Sequence, residues 1–546
     1  MTANSNIAQQ LTPANYSTRG KYLDKGRHIT AYILETWDTL TRSTNDCASL
    51  TDVKVITHPV LYFPAGTEIP SEIADLHRTC SVQIRSLPHA IQCMGDVKPE
   101  HLPSPGLLYL PHPYVVPGGR FNEMYGWDSY FILLGLLQCE RHELALGMVE
   151  NFLFEIEHYG GVLNANRTYY LTRSEPPFLT SMIRCLYEDK HSFADRSAAT
   201  SWLNRAYRAA AKYYETWSQP YRKAGDTGLT RYYDLDCGPV PELADDRHYF
   251  HDVIEWLLAH PGQDPGYLIE TNAADSNGAS RHPALSCNPR TGVVHEQPVV
   301  QGHRLTDDFY LGDRAMRESG YDSSFRFGPF CGSTHHFAPV CLNSLLYRYE
   351  RDMAHLAELL GLVEDIELWN SRADQRADAM NLYLWQEERG LFMDYDFVQG
   401  RASSYDFLSA YYPLWAGMAT KHQAEALRSN LHLFERKGGL AMSSTKSGMQ
   451  WDEPYGWAPA NWMTVDGLFA HGFHEDAYRI AQAFLETIDE NFASDETVRE
   501  KYDVIEKDIE IHITAGYKDN VIGFGWTNGV YLKMKEMLER QALSTL

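Results

Sequence analysis

The chain has 546 residues, 44% of them hydrophobic, enough to bury a sizeable core in one large domain or in two or three smaller ones. It carries 72 acids against 48 bases, a formal net charge of −24. Such a surface repels nucleic acid and anionic membranes and says nothing against a small neutral substrate. No stretch approaches the roughly 18–20 apolar residues of a membrane span. The nine cysteines are scattered singly, so free thiols in a reducing cytosol are expected. The histidines lack close metal-ligand spacing, and the adjacent pair His335 and His336 cannot build a site alone, so neither metal nor cofactor is expected.

The first residues show neither a basic nor an apolar leader segment, consistent with a cytoplasmic location. Residues 1–100 hold no site chemistry and are read as an extension wrapping a single catalytic domain of residues 101–546. Short strands are predicted at 53–57, 81–85 and 508–514. The string from Pro117 to Tyr130 then sets Arg120, Glu123 and Asp128 among Phe121, Tyr125, Trp127 and Tyr130, beside the pair Gly118 and Gly119. A structural turn needs no such mixture of charges and rings. A sugar does: rings cover its C–H faces, and arginine and carboxylate fix its hydroxyls.

Beyond residue 128 the apolar period is mostly helical. Helices are predicted at 129–139, 142–158, 178–187, 198–217, 251–258, 343–360, 364–384, 406–416, 421–433, 462–471, 475–488 and 530–539. Long loops rich in Gly, Pro and aromatic residues separate alternate helices, including 224–250, 262–333, 437–461 and 493–529. This alternation predicts an all-α fold, a toroidal barrel of helical hairpins with its site in the loops at one end.

Five segments together resemble the trehalase family of glycoside hydrolases: Pro117 to Tyr130, Gln450 to Pro459, Asn164 to Pro177, Ser319 to Arg326, and Gly523 to Gly529. They occur in the family's order and span roughly residues 100 to 535. The resemblance implies an (α/α)6 barrel and hydrolysis of an α-glucosidic bond with inversion. It implies Asp322 as general acid, and Arg120, Phe121, Trp127, Asp128, Asn166, Arg173 and Trp451 as sugar-binding groups. Glu175, Glu242, Gln450 and Asp452 complete the expected substrate site. Inversion requires a protonated carboxyl beside the glycosidic oxygen and a carboxylate that activates water on the opposite face. Tyr321, Phe325 and Phe327 give Asp322 an apolar setting that favours keeping its proton.

Two departures from the family shape the expected specificity. The resemblance places the base as a glutamate in a glycine-rich loop before Gly523, but here 511–522 has neither the glycine run nor that glutamate. Glu500, ahead of Lys501 and Tyr502, is taken as base, with Glu510 second. On the aglycone side, Val240 stands where the resemblance implies an arginine, which removes several donors. A small aglycone fits that change. The expected reaction therefore releases glucose from a glucosyl osmolyte, glucosylglycerol ahead of trehalose. The alternatives are hydrolysis of α,α-trehalose, an inverting phosphorylase, and an inactive sugar-binding protein.

Overall fold

Six helices form a closed inner ring, each packed against the next and the last against the first. The computed structural model describes residues 20–52, 54, 58–243, 248–271, 286–287, 294–295 and 298–544. The principal helices are α1 (Gly20–Leu40), α2 (Asp128–Gln138), α3 (His142–His158), α4 (Leu179–Glu188), α5 (Arg196–Trp217), α6 (Tyr249–Ala259) and α7 (Asp307–Ser319). They continue with α8 (Val340–Leu360), α9 (Val363–Tyr383), α10 (Tyr412–Trp415), α11 (Lys421–Ser429), α12 (Ala458–Ala470), α13 (His474–Asp495) and α14 (Gly525–Ser544). The inner ring runs α2, α4, α8, α10, α12, α14 and back to α2. Outside it, α3, α5, α9, α13 and α1 pack on α2, α4, α8, α12 and α14 respectively. α11 follows α10, and the Tyr411 hydroxyl donates to Leu427 O across that hairpin at 2.9 Å. This is the (α/α)6 barrel.

The sequence accounts for the two rings. In α2 every residue from Asp128 to Leu136 is buried, and α12 is buried from Ala458 to Val465, as befits helices that are apolar on most sides. The outer α5 is amphipathic, and the Asp195 side chain caps it by accepting from Ala198 N at 2.8 Å. Ring closure depends on two glycines. A Cβ on Gly135 of α2 would lie 2.6 Å from the Gly529 Cα of α14, and one on Gly529 would lie 2.0 Å from Phe131 O. Only hydrogen at both positions lets these backbones meet.

Several expectations change. α1 is a full outer helix packed on α13 and α14, so the first hundred residues supply part of the outer ring. α7 lies within the long loop predicted at 262–333. Its charge disguised it: Asp313, Arg314, Arg317 and Glu318 are all buried. The helix predicted at 406–416 shortens to a 3-10 turn and α10, and the one at 421–433 ends at Ser429.

Strands are short. Val60–Phe63 (β1) pairs in parallel with Gln83–Ser86 (β2) and Leu107–Leu108 (β3). The strand predicted at 53–57 falls largely outside the described residues, and 508–514 forms only a bridge, Asp508 to Asp503. Tyr455–Trp457 (β4) pairs antiparallel with Lys501–Asp503 (β5), at the site end of the barrel. Cys47 and Cys80 are bridged with Cα atoms 5.3 Å apart, contrary to the expectation that all nine cysteines are free. No helix among the described residues is long and apolar enough to cross a membrane.

Candidate active site

Two neighbouring cavities open at the end of the ring where the loops before α2, α8, α12 and α14 gather. The inner one is lined by Trp127, Trp451, Trp457 and Trp526, together with Asp128, Asn164, Arg173, Glu175 and Glu500. The outer one is lined by Lys54, Arg120, Leu243, Tyr249, Gln450 and Gly516. Phe121, Tyr125, Tyr170, Glu242, Arg317, Asp322 and Tyr517 belong to both walls. Asp322 therefore stands at the junction of two adjoining spaces.

The indoles form the inner walls. Trp451 and Trp457 stack with centroids 3.8 Å apart and planes 6° from parallel. Trp526 meets Trp127 and Trp457 edge-on at 5.4 and 5.6 Å. Their apolar faces match the C–H faces of a pyranose. Gly320 makes room for this box, since a Cβ there would lie 2.8 Å from the Trp127 ring, and its φ of +76° suits only glycine well.

Polar side chains are tied into the box by a connected network. Glu175 accepts from Trp127 N at 2.8 Å and from the Asn164 amide. Arg173 donates to Asn164 Oδ1 at 2.9 Å and to Glu242. The Gln450 to Asp452 segment holds the Asp322 loop: the Gln450 amide donates to Asp322 O, Trp451 N to Ser323 O at 3.1 Å, and Phe325 N to Asp452 Oδ2 at 2.9 Å.

The carboxyl groups lie in unlike surroundings. Burial pushes the Asp322 carboxyl up to about 6, against the opposing pull of Arg317, whose Nη1 is 3.6 Å away. Its side chain keeps 36% of its surface, and that surface faces the cavities at the end of the ring, which is why the group is both accessible and desolvated. Burial also raises Asp128 well above the usual carboxylate range, with the Glu500 and Asp322 charges adding to it. Glu175 is raised by burial and by Asp128. Burial opposes ionisation of Glu242 too, yet Arg173 and Arg317 hold it below the usual range. Glu500 accepts from the Tyr517 hydroxyl and pairs with the Lys501 ammonium at 2.8 Å.

Most of the predicted site residues converge here: Arg120, Phe121, Trp127, Asp128, Arg173, Glu175, Glu242, Asp322, Gln450, Trp451 and Glu500 all line one or both cavities. Four readings need correction. Asn166 is fully buried away from both cavities, where its amide accepts from Met124 N at 2.9 Å and donates to Leu108 O at 3.3 Å; Asn164 lines the cavity instead. Asp452 is also fully buried and supports the Asp322 loop rather than bordering the space. Glu510 is a surface residue, 3.7 Å from His512 and 75% exposed, so it is no rival to Glu500.

Val240 is the fourth. It is 3% exposed, packed into the interior, and borders neither cavity, so it opens no room for a smaller aglycone. The guanidinium groups there come from Arg120, Arg173 and Arg317. Sequence reasoning misses Arg317 and Tyr517. The usable signal for Arg317 was an aspartate four residues earlier: Asp313 holds it by two bonds, at 3.0 and 3.1 Å, just before the Gly320 turn.

One further cluster departs from the reading of the histidines. Asp308 of α7 joins His335 and His336, its Oδ1 lying 3.0 and 3.4 Å from their Nε2 atoms. Among the described residues the buried His335 Nδ1 has no partner, whereas the second nitrogen of a metal-bound histidine is normally tied down. The contacts are those of a hydrogen-bonded triad.

The model of the family described as Trehalase matches residues 64–266 and 297–539. The chain belongs to the trehalase family. It is thus a glycoside hydrolase acting on O-glycosyl bonds, in agreement with a pocket built of indoles and carboxyl groups. It is 35% identical to a probable trehalase of Eremothecium gossypii, over 99% of this chain and 78% of that protein. It is 33% identical to a cytosolic neutral trehalase of Emericella nidulans, with the same coverage. The solved structure of a neutral trehalase from Saccharomyces cerevisiae superposes with a TM-score of 0.76 at 30% identity, covering 94% of each chain.

Proposed function

We propose that this trehalase-family hydrolase cleaves α,α-trehalose into two glucose molecules with inversion, Asp322 acting as general acid and Glu500 as general base. One observation carries the reading: Asp322 stands in the wall common to both cavities, whereas Glu500 borders only the inner one. A disaccharide with one ring in each cavity brings its glycosidic oxygen to Asp322. The Asp322 proton goes to that oxygen as the C1–O bond breaks, and Glu500 takes a proton from the water whose oxygen bonds to C1 from the opposite face. Trp127, Trp451, Asp128 and Glu175 hold the inner ring, and Arg120, Arg317, Glu242 and Gln450 face the outer one. Trehalose takes precedence over glucosylglycerol because Val240 borders neither cavity and the relatives at 33–35% identity are named trehalases. The cytosolic names among them support a cytosolic location for this chain.

The test is proton NMR of purified enzyme with trehalose, with glucosylglycerol, and with trehalose plus phosphate. Early accumulation of one β- and one α-glucose per trehalose supports the reading. Faster turnover of glucosylglycerol, glucose 1-phosphate as product, or α-glucose alone at early times would each overturn it.

A further inference from the structure

Lys501 is fully buried beside the inner cavity yet lines neither space. Its ammonium lies 2.8 Å from Glu500 Oε2, and it stands over the Trp457 ring at 4.8 Å and the Tyr517 ring at 4.6 Å. The other Glu500 oxygen takes the Tyr517 hydroxyl. The backbone is equally fixed. Lys501 pairs with Trp457 between β5 and β4, Glu500 N donates to Val521 O at 2.9 Å, and Trp526 Nε1 donates to Glu500 O at 3.2 Å. A buried lysine is costly, and packing alone is served better by an apolar side chain. Asp322 has a different arrangement: its nearest guanidinium is 3.6 Å away and is committed to Asp313.

We propose that Lys501 is a positioning residue for the general base: with Tyr517 it fixes the plane of the Glu500 carboxylate and balances its charge, leaving a free lone pair directed at the attacking water. This rests on the assignment of Glu500 as base. A carboxylate has about four lone-pair sites, so two donors leave room for the water. The tight pair on Glu500 and the loose one on Asp322 separate the two carboxyl groups into unlike roles. The charged and titratable groups facing Glu500 are Lys501 beside it, Tyr517 from the loop before α14, Asp128 of α2, and Asp322 across the cavity.

Lys501→Met in the full chain tests this by steady-state kinetics on trehalose across pH. The expected result is a kcat lower by roughly 10- to 100-fold, with KM changed by less than about threefold. Lys501→Gln, which keeps an N–H donor without the charge, covers the case in which the methionine variant does not fold; it should show the same split between kcat and KM with a smaller loss of kcat. A folded variant with unchanged kcat overturns the proposal. Glu500→Gln separates the two failures: activity retained there removes the base assignment itself, whereas activity lost there with Lys501 variants normal removes only the role of Lys501.

Discussion

Arg317 Nη1 stands 3.6 Å from Asp322 Oδ2 while the same guanidinium is gripped by both oxygens of Asp313. The pairing sets how strongly the Asp322 carboxyl is pulled towards its ionised form. Arg317 is committed elsewhere, so burial prevails and Asp322 rests at about 6. Replacing Arg317 by Gln removes the opposing pull, and the alkaline limb of kcat/KM is expected to move to higher pH. Asp313, fully buried, loses its partner, so the melting temperature should fall as well, the penalty for an orphaned buried charge being about 3–5 kcal/mol. A pH–rate profile with thermal melts checks both.

Asp322→Asn should lower kcat by about 10³-fold, the scale of lost general-acid assistance. Its effect on stability has the opposite sign. The folded-state carboxyl, raised from 3.8 to about 6, binds more protons than the unfolded one between these values, so native stability falls as pH rises through that window. Asparagine removes that loss, and the variant should be at least as stable as the native chain at pH 7. Asp452, also raised to about 6 by burial, contributes the same trend, so part of the slope remains in the variant. Urea titrations at pH 4 and pH 7 measure it.

The two asparagines of the Asn164 to Asn166 segment should separate cleanly. Asn166→Ala leaves Met124 N and Leu108 O without their partner and is expected to cost about 3 kcal/mol. Its kcat per folded molecule should change little. Asn164→Ala removes one anchor each from Glu175 and Arg173, so activity should drop by more than about tenfold with a smaller loss of stability. Denaturation midpoints beside initial rates make the comparison.

Val240 offers a direct check of the aglycone argument. Val240→Ala is expected to cost about 1–2 kcal/mol through a small cavity and to leave the ratio of trehalose to glucosylglycerol turnover unchanged. Val240→Arg buries an unpaired cation and should unfold the chain rather than sharpen its preference for trehalose. Competition assays on soluble protein decide the first, and expression yield with melting the second.

Legibility in the sequence follows how each residue is buried. The string from Pro117 to Tyr130 stands out because its charges sit among rings, and Arg120, Trp127 and Asp128 line the cavities, whereas Glu123 is buried in ion pairs with Lys54 and Arg167. Apolar runs such as Phe131 to Leu136 gave the inner helices. α7 is hard to see because many of its buried residues are charged, Arg317 paired with Asp313 and Arg314 with Asp234, and such residues read as a solvated segment in one dimension. Asn166 and Asn164 show a related limit: a backbone-satisfying amide and a cavity-lining amide look alike in the sequence until their neighbours are known.

What the sequence determined by itself was the ring of apolar helices and the set of aromatic and acidic residues that gathers at its end, since period and local chemistry are properties of neighbours along the chain; the roles given to Asp322 and Glu500 rest on the resemblance to a family and stand as the proposal above. Only the tertiary structure decided which asparagine meets the cavity, that Val240 faces the core, that Arg317 reaches Asp322, and that α1 packs on α14 in the outer ring. Each of these depends on distances between segments tens to hundreds of residues apart. Burial and electrostatics act through space, and the chain order does not carry those distances.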